Sequence, residues 1–376
     1  MMKKLIKSGI TLLSVFMMML PLTGCRNSHQ ANKSMTNTTK STQVITDQAG
    51  DKVTVPKKIK RIAVVGILPL PSVLTVFFNS ANKLVTIPQP SMAAAKNGTL
   101  SQLYPQILKT KTSGNDGADI NTEDLKKTNP DVVFYKAEDT SMKKKLTTAG
   151  FVAVGISTEK WHHDPIVTLN HWISLLSEMF PKNRKAKIVK NYSNQAYRLV
   201  QKRIENIDST QQQKIFFLFQ YDGSTILTSG KNHWGNYWAN AAGAKNIVNN
   251  NGLTVQVTME QVYKWNPEKI FITNFTPAQP RDLYENKMGH DDWSKVKAVQ
   301  NKQVYKMPLG MYRSYTPGAD TPITLLWMAK TAYPDKFADI NIITETKDYY
   351  KKVFNVELTT QQAERIFNPS SKASAY

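Results

Sequence analysis

The stretch NTEDLKKTNPDVVF at residues 121–134 returns as TMEQVYKWNPEKIF at residues 258–271. Each copy opens on a residue that caps helices and runs through a short polar helix. An Asn-Pro pair then ends the helix before an apolar strand. A supersecondary unit that occurs twice in one chain predicts two lobes of similar construction.

The segment between the two copies predicts one long helix over residues 181–207. Pro181 suits a first helical turn, and Ile188, Tyr192 and Ala196 belong to an apolar series with helical spacing. Neither glycine nor proline follows Pro181 in this segment. We therefore expect a continuous rod of about 40 Å that joins the lobes.

On both sides of this helix, short apolar strands alternate with helical segments. A hairpin is predicted over residues 44–55, and the expected strands lie at residues 62–65, 84–87, 131–135, 152–156, 214–219, 269–273 and 303–307. Such alternation indicates parallel sheets covered by helices. The predicted fold is α/β, with two Rossmann-like lobes, residues 44–180 and 208–376, whose central sheets are mostly parallel and which one long interdomain helix joins.

The N-terminus predicts export and a lipid anchor. Lys3, Lys4 and Lys7 precede an apolar run at residues 10–20, which is too short for a membrane span and fits a signal peptide. The run ends in Leu-Thr-Gly-Cys25, which resembles the bacterial lipobox. We expect a signal peptide over residues 1–24, acylation (diacylglycerol, palmitate) of Cys25, and a flexible polar tether over residues 25–43. The alternative is an ordinary signal peptide with a stray cysteine.

The net charge restricts the possible binding partners, and the cysteine content excludes stabilisation by an internal disulfide. The chain of 376 residues has a net charge of +21, and export argues against nucleic acid as the partner of this charge. An anionic cell envelope or an anionic ligand is the expected partner. Cys25 is the only cysteine, so no internal disulfide supports the fold.

The whole layout resembles the class III, or helical-backbone, solute-binding proteins of ABC importers. The resemblance rests on residues 45–56, 60–64, 129–133, 241–247, 257–262 and 265–267. It implies a monomer without a cofactor on the extracytoplasmic face of the cell membrane, which delivers a metal chelate to permease and ATPase subunits. A ferric siderophore is the first expectation, with cobalamin, haem or another chelate as alternatives. Residues 77–82 depart from the family's Leu-Gly-Ala-like step, so the ligand need not be that of the best-known members.

The ligand is expected at the carboxyl ends of the strands, where the loops of two facing lobes form a cleft. The expected cleft loops are residues 68–71, 88–91, 135–136 and 158–163 in the first lobe, and residues 220–223, 231–235, 274–276 and 308–314 in the second. Aromatic and cationic side chains on these loops suit a flat anionic ligand. The predicted ligand contacts are Trp161, His162, Tyr221, Trp234, Tyr312 and Arg313.

The histidines do not predict a metal site of the protein's own. Adjacent His162 and His163, with His171, His233 and His290, show no recognised ligand spacing. The alternative is that one of these imidazoles completes the coordination of the metal in a bound chelate.

Two acidic residues are candidates for docking to the permease, as the resemblance implies. Glu260 stands at the second-lobe position, although an acid there also stabilises a helix N-terminus. Glu138 is the first-lobe choice, with Asp139 and Glu123 as alternatives.

Enzymes are not expected, because the chain has no Gly-x-Ser-x-Gly, phosphate loop or His-Glu-x-x-His sequence. A lipid-anchored envelope adhesin is the remaining alternative, but it would not require a pseudo-repeated pair of α/β lobes.

Overall fold

A computed structural model of the protein describes residues 41–113, 120–183 and 185–374. The strands are β1 Thr42–Thr46, β2 Lys52–Pro56, β3 Ile62–Val64, β4 Leu84–Pro88, β5 Lys111–Ser113, β6 Val132–Lys136, β7 Ala153–Ile156, β8 Lys214–Tyr221, β9 Ile226–Ser229, β10 Lys245–Asn246, β11 Thr254–Val257, β12 Lys269–Ile272 and β13 Val304–Lys306. The helices are α1 Leu70–Phe78, α2 Gln89–Asn97, α3 Thr99–Leu103, α4 Thr122–Lys127, α5 Thr140–Thr148, α6 Pro165–Met179, α7 Lys185–Ile204, α8 Trp234–Ala241, α9 Met259–Trp265, α10 Pro280–Tyr284, α11 Lys297–Gln300, α12 Thr321–Ala332, α13 Ile342–Tyr349 and α14 Thr360–Phe367. The predicted signal peptide, Cys25 and nearly all of the tether lie outside the described residues.

The first lobe is built on a parallel sheet with the strand order β5-β4-β3-β6-β7. Its four predicted strands are confirmed, and β5 joins them at one edge. The predicted hairpin is confirmed as β1 and β2, which pair antiparallel. The central strands β3 and β6 are buried throughout, apart from the half-buried Lys136 at the end of β6. They need apolar side chains on both faces because helices cover both sides of the sheet.

The second lobe is built on a mixed sheet with the order β11-β9-β8-β12-β13, and β10 also pairs with β8. Strands β8, β12 and β13 run parallel, as predicted, whereas β9 runs antiparallel to both of its neighbours, β8 and β11. The reversal after β8 has a local cause. Asp222 Oδ1 accepts hydrogen bonds from the backbone N–H groups of Ser224 and Thr225, and Gly223 has a φ of 92°. This tight turn sends the chain back as a hairpin.

The repeat occupies the same place in both lobes. Asn121 caps α4 and Thr258 caps α9, and each helix leads into a strand beside the middle of its sheet. Asn129 and Asn266, which precede the prolines, have left-handed φ angles of 44° and 42°. These left-handed residues end the two helices, as the Asn-Pro pairs predict.

Helix α7 is shorter than predicted but continuous from Lys185 to Ile204. Val189 packs in the core of the first lobe, whereas Val200 and Ile204 pack in the core of the second. Ile188, which counted toward the predicted apolar face, is 44% exposed instead. The helix therefore joins the two cores through one buried face.

The C-terminal segment differs from its predicted place in the second lobe. Side chains after α12, among them Tyr349, Phe354 and Ile366, are buried in the core of the first lobe. The backbone N–H of Leu309 also donates to Ile366 O at 2.8 Å. The chain thus crosses back, because the apolar faces of α13 and α14 fit the first core.

These elements make an α/β protein of two lobes, each with its own central sheet. The described residues form one compact unit. Among them, no helix combines the length and the apolar character that a membrane span requires.

Candidate functional site

A cavity of about 240 Å³ lies at the carboxyl ends of strands from both sheets. The side chains and backbone that line it come from residues 66–69, Lys136, Thr158, Glu159 and His163 in the first lobe, and from His233, Trp234, Leu253, Phe275, Thr316 and Pro317 in the second. This is the position that the loops of two facing lobes predict for a ligand.

Two histidines from opposite lobes meet at this cavity. The ring centroids of His163 and His233 are 5.8 Å apart. Burial lowers the pKa of His163, and burial together with the neighbouring His163 lowers the pKa of His233 to about 3. Both rings are therefore neutral near pH 7, the form in which an imidazole can bind a metal.

The Tyr315 hydroxyl fixes the orientation of His233. It lies 2.9 Å from His233 Nδ1, and it also accepts a hydrogen bond from Gly235 N at 3.1 Å. Tyr315 is fully buried, so its hydroxyl has a fixed position. Nε2 is the ring nitrogen of His233 that remains for a ligand.

One cation and one anion face the cavity from the first lobe. Lys136 Nζ donates to Glu159 Oε1 at 2.5 Å, and both side chains are more than a third exposed. The loop that carries Glu159 is held by the Glu138 carboxylate, which accepts hydrogen bonds from the backbone N–H groups of Thr158 and Glu159. Because the pair is exposed, Lys136 can exchange Glu159 for an anionic ligand at small cost.

The predicted contact Trp234 lines the cavity. Its ring lies 4.8 Å from that of His163 in an edge-to-face arrangement. Trp234 is also the first residue of α8, so a helix start fixes its position. The structure therefore places one of the predicted aromatic residues against one of the two histidines.

The two predicted contacts on the first lobe lie beside the cavity rather than among the residues that line it. Trp161 stacks on His171, with ring centroids 4.2 Å apart and an interplanar angle of 4°. His162 is exposed, with a left-handed φ of 52°, and the next residue, His163, lines the cavity instead.

The other three predicted contacts are buried behind the second-lobe wall. The Tyr221 hydroxyl donates to Asp291 Oδ2 at 2.8 Å. Tyr221 lines a separate cavity of about 200 Å³. Tyr312 is buried, and Arg313 is completely buried, with its guanidinium carbon 4.9 Å from the centre of the Phe275 ring. Arg313 thus faces the back of a ring that lines the cleft.

Sequence reasoning did not single out His163, His233, Lys136 or Phe275 as ligand contacts. Each lies on a loop that is expected at the cleft, so the sequence identified the loops but not the side chains that line the cavity. Which side chain of a loop faces inward depends on its backbone angles, as the consecutive left-handed residues His162 and His163 show.

The two candidate docking acids are both accessible from solvent. Glu260 lies in the first turn of α9, where a hydrogen bond with the Thr258 side chain lowers its pKa. Glu138 uses its carboxylate to hold the loop described above.

The cleft does not form a closed metal site by itself. Within the described ranges, no three His, Cys, Asp or Glu side chains stand close enough together to hold an ion.

Residues 82–309 match the family model described as periplasmic binding protein. The chain belongs to this family. It is accordingly an extracytoplasmic solute-binding protein of an ABC transporter, and the relatives that it matches are solute-binding proteins.

Two relatives match this chain over nearly their whole length. The molybdate-binding protein MolA of Haemophilus influenzae is 24% identical over 345 residues, which cover 86% of this chain and 94% of MolA. The substrate-binding lipoprotein YvrC of Bacillus subtilis, whose function is uncharacterised, is 24% identical over 326 residues, 85% of this chain and 95% of YvrC.

Solved structures share the fold. A periplasmic solute-binding protein of Veillonella parvula superposes with a TM-score of 0.78 at 26% identity, over 87% of this chain and 97% of its own. Helicobacter pylori CeuE with bound Ni(II) superposes with a TM-score of 0.68 at 21% identity, over 86% and 99% of the two chains.

Proposed function

We propose that this binding protein captures a compact metal chelate in the cleft and delivers it to an ABC permease, with His163 and His233 completing the coordination of the metal. The observation that carries the proposal is the meeting of two neutral imidazoles from opposite lobes at one cavity.

The spacing of the rings fits one shared ion. A metal–nitrogen bond of about 2.1 Å and a ring radius of about 1 Å put the centroids of two imidazoles on one ion roughly 4.5 to 6.5 Å apart. The centroids here are 5.8 Å apart. Tyr315 at His233 Nδ1 is the kind of second contact that orients a metal-binding histidine.

A chelate suits this site better than a bare ion. Two histidines offer two donors, and the described residues add no third ligand in a suitable place. The remaining donors would have to come from the ligand itself. The Lys136 ammonium supports a chelate with negative charge, and the Trp234 ring supports one with a flat apolar part.

The size of the cavity favours a compact ligand. At about 240 Å³ it lies below the range of about 300–1,000 Å³ that is usual for drug-sized ligands. Within the ferric siderophores that the sequence led us to expect, a small one with open coordination positions fits this proposal best.

An oxyanion such as molybdate is the second candidate. It is favoured by the match with MolA over 86% of this chain and by Lys136 at the cavity. Neutral imidazole N–H groups could also donate hydrogen bonds to an oxyanion.

The other residues named from the sequence stay part of the proposal. Trp161 and His162 would contact a ligand that extends beyond the cavity, and Tyr221, Tyr312 and Arg313 would act through the wall that they support. Glu260 and Glu138 would meet the permease, and acylated Cys25 would hold the monomer on the membrane.

Titration calorimetry with the untagged protein tests this function. The probe is Ni(II)–nitrilotriacetate, whose donors leave two positions of the ion open, and Ni(II)–EDTA is the saturated control. We expect binding of the first complex only, and a loss of at least tenfold in affinity for His163→Ala and for His233→Ala. His290→Ala, an exposed histidine outside the cavity, is the matched control and should bind as the parent does.

Binding that is indifferent to both cleft histidines would refute the proposal. Binding of molybdate without binding of Ni(II)–nitrilotriacetate would favour the oxyanion.

A further inference from the structure

Phe275 separates the cleft cavity from a second cavity that lies within the second lobe. It lines the cleft cavity of about 240 Å³ and also the neighbouring cavity of about 200 Å³, and it is the one residue common to the two linings. The second cavity lies at the end of β8 and the start of β9, where Gln220, Asp222 and Thr225 give it a polar wall. A ligand in the cleft that extended toward the second cavity would contact the Phe275 ring first.

The ring is held between aromatic and cationic neighbours. Its centroid lies 5.3 Å from that of Phe219 and 6.4 Å from that of Tyr315. The buried Arg313 guanidinium lies 4.9 Å from it, within the range of a cation–π contact. These contacts resist a rotation of the ring out of the wall.

The backbone on both sides of Phe275 is held by a buried lysine. Lys306 Nζ donates to the carbonyl oxygens of Thr273 at 2.9 Å, Thr276 at 2.7 Å and Ala278 at 2.7 Å. An ammonium group has three N–H donors, so the three carbonyls use all of them. Lys306 is 5% exposed and ends β13, a strand of the sheet that supports this loop.

Further hydrogen bonds fasten the same loop. Asn274 Nδ2 donates to the carbonyl oxygens of Met307 and Pro308, both at 2.9 Å, and Thr276 Oγ1 donates to Tyr221 O at 2.7 Å. The loop is therefore fixed at Asn274, Thr276 and Ala278, with Phe275 between them.

We propose that Phe275 is a partition that limits the size of the ligand in the cleft, and that Lys306 is the positioning residue that keeps this partition in place. The inference rests on the proposed function, because it specifies which chelates that same cleft admits. A chelate with a bulky arm on the Phe275 side is excluded, and removal of the ring joins the two cavities.

Two probes with the same donor atoms test the partition. One is Ni(II)–nitrilotriacetate, and the other is the Ni(II) complex of N,N-bis(carboxymethyl)-L-phenylalanine, which adds a benzyl arm. In calorimetry we expect the parent protein to prefer the first complex at least tenfold. Phe275→Ala should lose or reverse this preference, and the milder Phe275→Leu should fall between them. Thermal unfolding of each variant checks that it is folded.

A second pair of variants tests the lysine. Lys306→Met keeps the length of the side chain and removes the three hydrogen bonds, so the preference for the smaller complex should fall at least threefold. Lys269→Met is the matched control, because Lys269 is also buried but lies at the opposite end of neighbouring β12, where Nζ donates to Gln303. The control should keep the parent's preference.

The possible failures are distinct. A parent protein that binds neither complex overturns the proposed function and the partition with it. If the parent and Phe275→Ala bind the smaller complex equally well, and Phe275→Ala binds the benzyl complex no more tightly than the parent does, the partition alone is overturned. A preference that Lys306→Met leaves intact removes Lys306 from the positioning role.

Discussion

Replacement of Asp320 by asparagine should remove a pH-dependent part of the protein's stability. Asp320 is 5% exposed, and its carboxylate accepts hydrogen bonds from the Tyr350 hydroxyl at 2.6 Å and from Met311 N at 2.5 Å. Burial outweighs these bonds and raises the pKa of Asp320 to about 6 from an ordinary 3.8. The folded state therefore binds this proton more tightly than the unfolded state does.

The sign and size of the pH effect on stability follow from this difference in pKa between the folded and unfolded states. The contribution of Asp320 to the free energy of unfolding is complete below about pH 4 and is lost as the pH rises through about 6. A difference of about two pH units corresponds to about 3 kcal/mol at 1.36 kcal/mol for each unit. The asparagine side chain of the variant does not titrate, so the variant lacks this term at every pH.

Urea denaturation, followed by circular dichroism between about pH 4 and pH 7, measures the effect. We expect the difference in unfolding free energy between the parent and Asp320→Asn to change by about 2.4 kcal/mol across this range, most of the full effect. The absolute stability of the variant is a poorer measure, since the asparagine amide cannot accept from Met311 N and Tyr350 at once. Parallel pH profiles for the two proteins would show that Asp320 is ionised in the folded state at acidic pH, against the reasoning here.

Other predictions address the fold, the anchor and transport. Gly289→Ala should cost about 3 kcal/mol or more in urea denaturation, because its Cβ would lie 1.6 Å from Gly223 O at a φ of 66°. Gly150→Ala, with a φ of 84° but open space around its Cβ, should cost only about 1 kcal/mol, and equal losses would contradict the steric argument. Cys25→Ala should release the protein into the medium or leave it unprocessed, and a membrane-bound variant of unchanged mature mass would disprove the anchor. Glu260→Gln should slow uptake of radiolabelled Ni(II)–nitrilotriacetate by cells without changing its affinity for the purified protein, whereas unchanged uptake would exclude Glu260 from docking.

Local chemistry made the repeat and the helices predictable. Asn121 and Thr258 cap their helices through their own side chains, and Asn129 and Asn266 end them through a backbone angle that asparagine tolerates. Such signals are contained in a few consecutive residues, so the sequence is enough to place them.

The hairpin of the second lobe was missed although a signal for it was present. Asp222-Gly223 is a turn pair, and Ile226 begins β9 three residues later. The alternation of strands and helices favours a mostly parallel sheet, and this pattern drew attention away from an antiparallel strand at this place.

The details of the site depend on contacts between distant segments, which no local pattern reports. His163 and His233 are separated by the whole of α7, and their meeting requires both sheets to be in place. Arg313 was expected at the ligand because it follows a strand. Its complete burial reflects the loop after β13, which turns the guanidinium toward the back of Phe275.

The connections between the lobes bear on how the cleft receives its ligand. Helix α7 places Val189 in one core and Val200 in the other, and its hydrogen-bonded backbone contains neither proline nor glycine that would ease a bend. A second connection runs through α12, because Asp320 at its N-terminus accepts a hydrogen bond from Tyr350 of the first core, whereas Leu325 and Met328 of the same helix pack in the second core. A wide swing of one lobe would have to break both connections. A hinge motion needs a few residues that absorb a large change in backbone dihedral angles, and a continuous helix does not provide them. We therefore expect the fold to set the positions of the histidine pair and the Phe275 wall before a ligand arrives. On this prediction, selection at the cleft depends on the fit to a preformed space more than on closure around the ligand.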